Sequence, residues 1–172
     1  MIRALQATAL VAVAGLFALL VWRLSHQSHP AKVGGPVPNF TLKRLEGSGT
    51  ISLASLRGKP AVINFFASWC GPCKAEAKIL ESASQQYKGR ISFLGIDYHD
   101  VTSDGRRFLQ AHGITFPTVQ DGSGTIGDKY GLTGVPETFV VNAQGRLLKH
   151  IPGTLTVNMS LFDAGIKAAL KP

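Results

Sequence analysis

Two cysteines are the whole thiol content of the chain, and they fall together in Phe66-Ala67-Ser68-Trp69-Cys70-Gly71-Pro72-Cys73, directly after an apolar run. So close a pair is a poor staple, because a disulfide stabilises in proportion to the loop it closes; here that is at most about 2 kcal/mol. The spacing suits thiol–disulfide exchange, in which one thiolate attacks and its neighbour resolves the mixed disulfide. Half a zinc site is the competing use of two cysteines. It would need two further Cys or His ligands at suitable spacing, and the sequence has neither a second CxxC nor an HxxxH. No metal and no cofactor are expected beyond the redox-active Cys70–Cys73 disulfide itself.

The surrounding residues set up that chemistry. Ala61-Val62-Ile63-Asn64-Phe65-Phe66 reads as a strand buried on both faces, and a helix is predicted from about Pro72 to Tyr87. Cys70 then sits at a strand-to-helix junction, where free N–H groups and the helix dipole favour an anion, so it is the expected nucleophile. Cys73 lies one turn in, more shielded, as the resolving thiol. Gly71 and Pro72 permit the tight turn, and proline is tolerated at a helix start because its missing N–H would be unpaired there. Trp69 reads as a lid and contact surface, or else as a core aromatic. Glu76 lies three residues after Cys73, on the same helical face, where it could take the resolving thiol's proton.

The remaining elements follow from pattern. Short strands are expected at Phe40–Leu42 and Thr50–Leu53 about a Glu46–Gly49 turn, with a helical turn at Leu53–Arg57 and a second buried strand at Ile91–Asp97. A helix from Ser103 to His112 ends at Gly113, and a short one covers Ile126–Tyr130. Phe116-Pro117 and the glycines near Gly122 and Gly124 read as loop. A hairpin is predicted at Thr138–Val141 and Arg146–His150, then a closing helix from about Val157 to Leu170 with Leu161, Ile166 and Leu170 facing the sheet. The sum is an α/β fold, a mixed central sheet with helices on both faces.

Ahead of this domain, Ala4 to Trp22 is an apolar stretch of 19 residues bracketed by Arg3 and Arg23. As a helix it is long enough to span a bilayer core of ~30 Å. A cleaved signal peptide is the alternative, but the exit Val21-Trp22-Arg23-Leu24 lacks the small-x-small pattern. The division is therefore residues 1–23 as an uncleaved signal anchor, 24–35 as a polar Pro/Gly-punctuated tether and 36–172 as the catalytic domain. The positive-inside rule leans against export, since Arg23 and Lys32 follow the helix and only Arg3 precedes it. An N-terminal apolar helix is nevertheless the usual export signal, so the domain is placed outside the cytoplasmic membrane, on the periplasmic side in a bacterium.

The net charge of +8 among 172 residues does not mark a nucleic-acid binder, because the basic residues are scattered without a run or an aromatic RNA-binding motif. His26, His29, His99, His112 and His150 form no ligand pattern and read as surface or capping residues. Nothing argues for an oligomer, so a monomer is expected.

Trp69-Cys70-Gly71-Pro72-Cys73 after a buried strand, with Gly134-Val135-Pro136-Glu137-Thr138-Phe139 downstream, resembles the thioredoxin fold. With Val37-Pro38-Asn39-Phe40-Thr41-Leu42 and Leu56-Arg57-Gly58-Lys59-Pro60, the chain looks like the membrane-tethered thioredoxins of the TlpA/ResA/CcmG (DsbE) group over Pro36 to Leu170. Tyr130–Phe139 and Asp97-Tyr98-His99-Asp100 point to the cytochrome c-maturation type. The resemblance implies that the Val135–Pro136 bond is cis, leaving the backbone of Val135 free to pair with a bound peptide. It also implies that Glu137 faces the cysteine cleft; burial near other acids would raise Glu76 and Glu137. Asn64 occupies the place of the buried aspartate of cytoplasmic thioredoxin, which shifts acid–base duty to Glu76.

The activity implied is reduction of the haem-attachment cysteines of apocytochrome c, with electrons from a transmembrane thiol donor. A broader thiol reductase, serving copper-site assembly or several clients, an oxidant that installs disulfides, and a holdase with inert cysteines are the alternatives. Gly71-Pro72 favours reduction without fixing the client. A peroxidatic site is excluded, since Phe66 stands where that motif requires threonine.

Overall fold

A run of six residues, apolar but for Asn64, makes the centre of the sheet. Every residue of β3 (Ala61–Phe66) is buried, as a strand covered on both faces must be. The computed structural model describes residues 2–25 and 31–171, so the expected tether is described only in part, and His26 and His29 lie outside the described residues. In chain order the elements are α1 (Ile2–Ser25), β1 (Thr41–Arg44), β2 (Thr50–Ser52), a 3₁₀ turn (Leu53–Leu56), β3, α2 (Gly71–Gln86), β4 (Ser92–Tyr98), α3 (Thr102–His112), β5 (Thr118–Asp121), α4 (Thr125–Tyr130), β6 (Glu137–Val141), β7 (Leu147–Pro152) and α5 (Leu155–Ala169).

The strands form one mixed sheet in the order β2-β1-β5-β4-β3-β6-β7. β3, β4 and β5 run parallel, while β6, β7, β1 and β2 join antiparallel to their neighbours. Strand faces alternate, so Ile63 and Phe65 enter one core while Val62 and Phe66 enter the packing on the other side. The first core holds Val37, Phe40 and Leu53 together with Ile126 and Tyr130 of α4. On the opposite face α2 and α5 cover one half through Leu80, Phe162 and Ile166, and α2 and α3 cover the other through Ala77 and Phe108. Helices thus flank both faces, as the pattern predicts.

Two expectations change. The sequence pattern assigns no element to Thr118–Asp121, between Phe116-Pro117 and Gly122, yet this strand, β5, pairs with both β4 and β1. Its polar side chains find partners in neighbouring elements: Gln120 accepts from Thr102 Oγ1 at 2.7 Å, and Asp121 accepts the Ile126 and Gly127 N–H groups at 2.9 and 2.8 Å. The closing helix starts at Leu155 and has non-helical torsions at Asn158. Phe162, 3% exposed, therefore faces the sheet with Ile166, while Leu161 is 37% exposed.

Gly113 closes α3 in the left-handed conformation, φ 62°, as expected of a helix C-cap. The first helix, α1, is 24 residues long, with side chains described at positions 6, 10 and 13–22. Among the described residues, no helix is long and apolar enough to cross a membrane.

Candidate active site

β3 ends in the loop Ala67–Trp69, and Cys70 is the N-cap of α2 with Pro72 in the helix's first turn. That geometry turns the Cys73 N–H onto Cys70 Sγ at 3.1 Å. The same N–H and the helix dipole stabilise a thiolate on Cys70 once the pair is reduced. In this structure the two are joined as a disulfide, with Cα atoms 5.3 Å apart. Cys70 is 4% exposed and Cys73 1%, so Cys70, the expected nucleophile, is the more accessible of two shielded sulfurs. Gly71 and Pro72 are exposed beside them.

Two segments from elsewhere in the chain close on Cys70. The Val135–Pro136 peptide bond is cis, as the resemblance implied. The Val135 carbonyl oxygen lies 3.4 Å from Cys70 Sγ. In the disulfide this is a contact without a proton; in the thiol it is where the S–H can donate. On the other side, Trp69 is 60% exposed, and its indole Nε1–H donates to the His99 carbonyl at 3.2 Å. Trp69 is thus a rim residue, not a core aromatic. The Ser68 N–H donates to Asp100 Oδ2 at 2.5 Å, tying the active-site loop to the end of β4.

Glu76 is 1% exposed. Its Oε1 accepts from Asn64 Nδ2 at 2.8 Å and its Oε2 accepts the Leu155 N–H at 2.7 Å. Burial pushes its carboxyl above the usual range, against the hydrogen bonds from Leu155, Asn64 and Thr154 that favour the anion. Burial, not a second acid, is the cause. Asn64 also donates to Thr138 Oγ1 at 3.0 Å, so it bridges α2 to β6. A gap of about 10 Å³ beside Asn64 is also lined by Cys73, Ala77 and Leu80. Cys73 and Asn64 thus line one small, otherwise apolar cavity.

Glu137 requires correction. It is 2% exposed, but its carboxylate contacts Thr133, Gly134 and His150, not the sulfurs. Oε1 accepts both the N–H and the Oγ1–H of Thr133 at 2.8 Å, and the Gly134 N–H at 3.3 Å. Oε2 lies 2.5 Å from His150 Nε2. Burial acts to raise the carboxyl, yet the hydrogen bonds from His150 and Thr133 outweigh it and hold Glu137 below the usual range. The expected rise is therefore reversed for this residue. Glu137 is a clamp on the loop that carries Val135, and it acts on the cleft only through that loop.

His150 is likewise no mere surface residue: it stacks on Phe139 with ring centroids 4.4 Å apart and planes at 12°. His99, Asp100, Thr133 and His150 join the site. The first three fall in the stretches that carried the resemblance, Asp97–Asp100 and Tyr130–Phe139, without a role of their own, and no spacing in the sequence marked His150. Asp100 also follows a buried strand at its C-terminal end, where ligands of α/β sheets gather. Among the described residues, no cluster of three His, Cys, Asp or Glu side chains could hold a metal ion.

A family model described as the AhpC/TSA family matches residues 33–150. The thiol-disulfide oxidoreductase ResA of Bacillus subtilis (strain 168) is 30% identical over 127 residues, 73% of this chain and 70% of that protein. The thiol:disulfide interchange protein DsbE of Pseudomonas fluorescens biotype C is 35% identical over 124 residues, 72% of this chain and 68% of that one. A crystal structure from Chlorobium tepidum, described as a thiol:disulfide interchange protein DsbE, superposes with a TM-score of 0.76 at 25% identity, covering 82% of this chain and 99% of that chain. With a CxxC disulfide at the head of α2 and a cis-proline loop against its first sulfur, the chain belongs to the thioredoxin-like AhpC/TSA family and is a thiol-disulfide oxidoreductase of the ResA and DsbE type.

Proposed function

We propose that this oxidoreductase is a membrane-anchored reductant outside the cytoplasm whose client is the haem-attachment cysteine pair of apocytochrome c. The observation that carries the reading is the Val135 carbonyl 3.4 Å from Cys70 Sγ, on a loop clamped by Glu137. A main-chain acceptor beside the nucleophile suits an extended, unfolded polypeptide that pairs as an added strand. The Gly71-Pro72 dipeptide supports the reducing direction. The anchor is supported by the apolar run Ala4–Trp22 and by Val13, Leu16, Phe17 and Leu20, which α1 leaves exposed.

The reaction follows from the two sulfurs. Cys70 thiolate attacks one sulfur of the client disulfide, and the other client sulfur leaves as a thiolate that takes up a proton. Cys73 then gives up its proton towards the Asn64–Glu76 pair and attacks Cys70 Sγ. The mixed disulfide breaks, the second client thiolate leaves, and the enzyme is left as the Cys70–Cys73 disulfide. Two electrons pass from the enzyme to the client, and a donor dithiol in the membrane must return them.

The test is a trap. Full-length Cys73→Ser cannot resolve, so it should accumulate a mixed disulfide with oxidised CxxCH peptides in preference to oxidised CxxC peptides of unrelated sequence. Equal trapping of both would favour a general thiol reductase; no adduct with either would contradict the proposal.

A further inference from the structure

The mechanism makes no use of Asp97, although this carboxyl is the most thoroughly enclosed charge-bearing group near the site. It is 0% exposed, and neither oxygen has a hydrogen-bond partner. Buried carboxyls without partners are rare and call for a reason. Asp97 is the last residue but one of β4, opposite Phe66 of β3 and Gln120 of β5. From above, α3 presses Gly105 onto it: a Cβ at that glycine would meet Asp97 Oδ2 at 2.3 Å. Three residues on, Asp100 turns its carboxylate to the active-site loop and holds Ser68 N–H through Oδ2 and Val101 N–H through Oδ1. His99, between them, has φ 49°, a left-handed backbone unusual for a residue with a side chain, and its carbonyl receives the Trp69 indole.

Among the described residues, no cation offsets Asp97. The charges acting on it are those of Asp100 and, from α3, Asp104. Phe66 and Gln120, opposite it on the neighbouring strands, do not ionise. On α3, Arg107 is turned to solvent and bound to Asp104, while Arg106 Nε–H is spent on the Leu45 carbonyl. Burial first, then the neighbouring charge of Asp100, push the Asp97 carboxyl up to about 8.

We propose that Asp97 is a positioning residue for the thiol–disulfide exchange, holding a proton so that Asp100 alone carries the negative charge that anchors the Ser68–Cys70 loop. Ionising Asp97, itself 0% exposed, sets a second anion beside Asp100. The repulsion falls on the Tyr98–Asp100 turn, where His99 holds its left-handed backbone, and Ser68 N–H and the Trp69 indole lose their acceptors together.

The test uses the oxidised full-length protein, in which neither cysteine titrates, so its outcome is independent of the client. Nitrogen–proton correlation spectra from pH 6 to 9.5 follow the Ser68 amide and the Trp69 indole. Both should move with one midpoint near 8, and Asp97→Asn should abolish that movement while leaving the low-pH spectrum in place. Amide exchange at Ser68 should be about tenfold slower in Asp97→Asn than in the wild type at pH 9. Where Asp97→Asn fails to fold, Asp100→Asn serves: removing the neighbouring charge must shift the Asp97 titration, read at the Gly105 amide, to lower pH. A Ser68 amide flat across the range, an unchanged titration in Asp97→Asn, or an unmoved Gly105 midpoint in Asp100→Asn would overturn the proposal.

Discussion

Glu76, on the helix that begins at the cysteines, accepts the first N–H of α5 from Leu155 at 2.7 Å, so one buried carboxylate fastens the catalytic helix to the last helix of the chain. Its other oxygen holds Asn64 in the central strand. The acid proposed to take the resolving thiol's proton is therefore also a structural tie, and substitutions there must be read for both effects.

Removing it should show this directly. Glu76→Ala leaves one Asn64 amide hydrogen and the Leu155 N–H unpaired in the interior, a loss on the order of 3 kcal/mol in urea unfolding. The pH dependence has a definite sign. The folded carboxyl is raised above its ordinary 4.5, so the folded state keeps its proton where the unfolded state has lost it. Stability from this group is full below 4.5 and falls as pH rises through the folded value. Glu76→Gln should lack that slope, measured as unfolding free energy between pH 4 and 8.

Glu137 should show the opposite sign. Its carboxyl is depressed below 4.5, so its contribution is full above that value and is lost as pH falls through the folded one. Glu137→Gln should flatten the acid limb of stability between pH 5 and 2. Glu137→Ala, which frees Thr133 and Gly134 and with them the Val135 loop, should raise KM for a peptide disulfide about tenfold with a smaller change in kcat.

The position of Asn64 carries a third prediction. Its Nδ2 donates to both Glu76 and Thr138, at 2.8 and 3.0 Å. Asn64→Asp would set acceptor against acceptor and two carboxyls in one buried site. At pH 8 the variant should be less stable by roughly 3 kcal/mol, with the deficit shrinking towards pH 4 as the pair shares a proton. A deficit independent of pH would show that the two groups do not interact.

Close approach of α3 to Asp97 gives a fourth. At Gly105 an added Cβ would sit 2.3 Å from a carboxyl oxygen and 3.1 Å from Leu45 Cδ2. Helix propensity alone favours alanine there by about 1 kcal/mol. Overpacking should outweigh it, so Gly105→Ala should lower the unfolding free energy by on the order of 2 kcal/mol.

The sequence made the chemistry legible where local pattern suffices. Six residues in a row, apolar but for Asn64, specify a buried strand, the CxxC with its proline marks a helix start, and Gly113 marks a helix end. What it hid depends on distant partners. β5 has one apolar residue buried to 0%, Val119, and its polar ones are satisfied by Thr102, by the Asp100 carbonyl and by α4, none of them near in sequence. Glu137 was misjudged for the same reason. Its acceptors are filled by Thr133 and by His150 across a hairpin whose register pairs Phe139 with His150. The phase of α5 was misplaced because its N-cap is Thr154, whose side chain accepts from Thr156, with the non-helical residue Asn158 one turn in.

The reduction potential of the full-length protein tests the central claim most directly. Equilibration in defined thiol buffers, with thiols counted by mass spectrometry, places the Cys70–Cys73 pair on a scale where thioredoxin lies near −270 mV and the oxidant DsbA near −120 mV. The account predicts a value below about −200 mV, the range of a disulfide reductant. A value near −120 mV would mean that the pair gives up its disulfide to clients, contradicting the reductive reading.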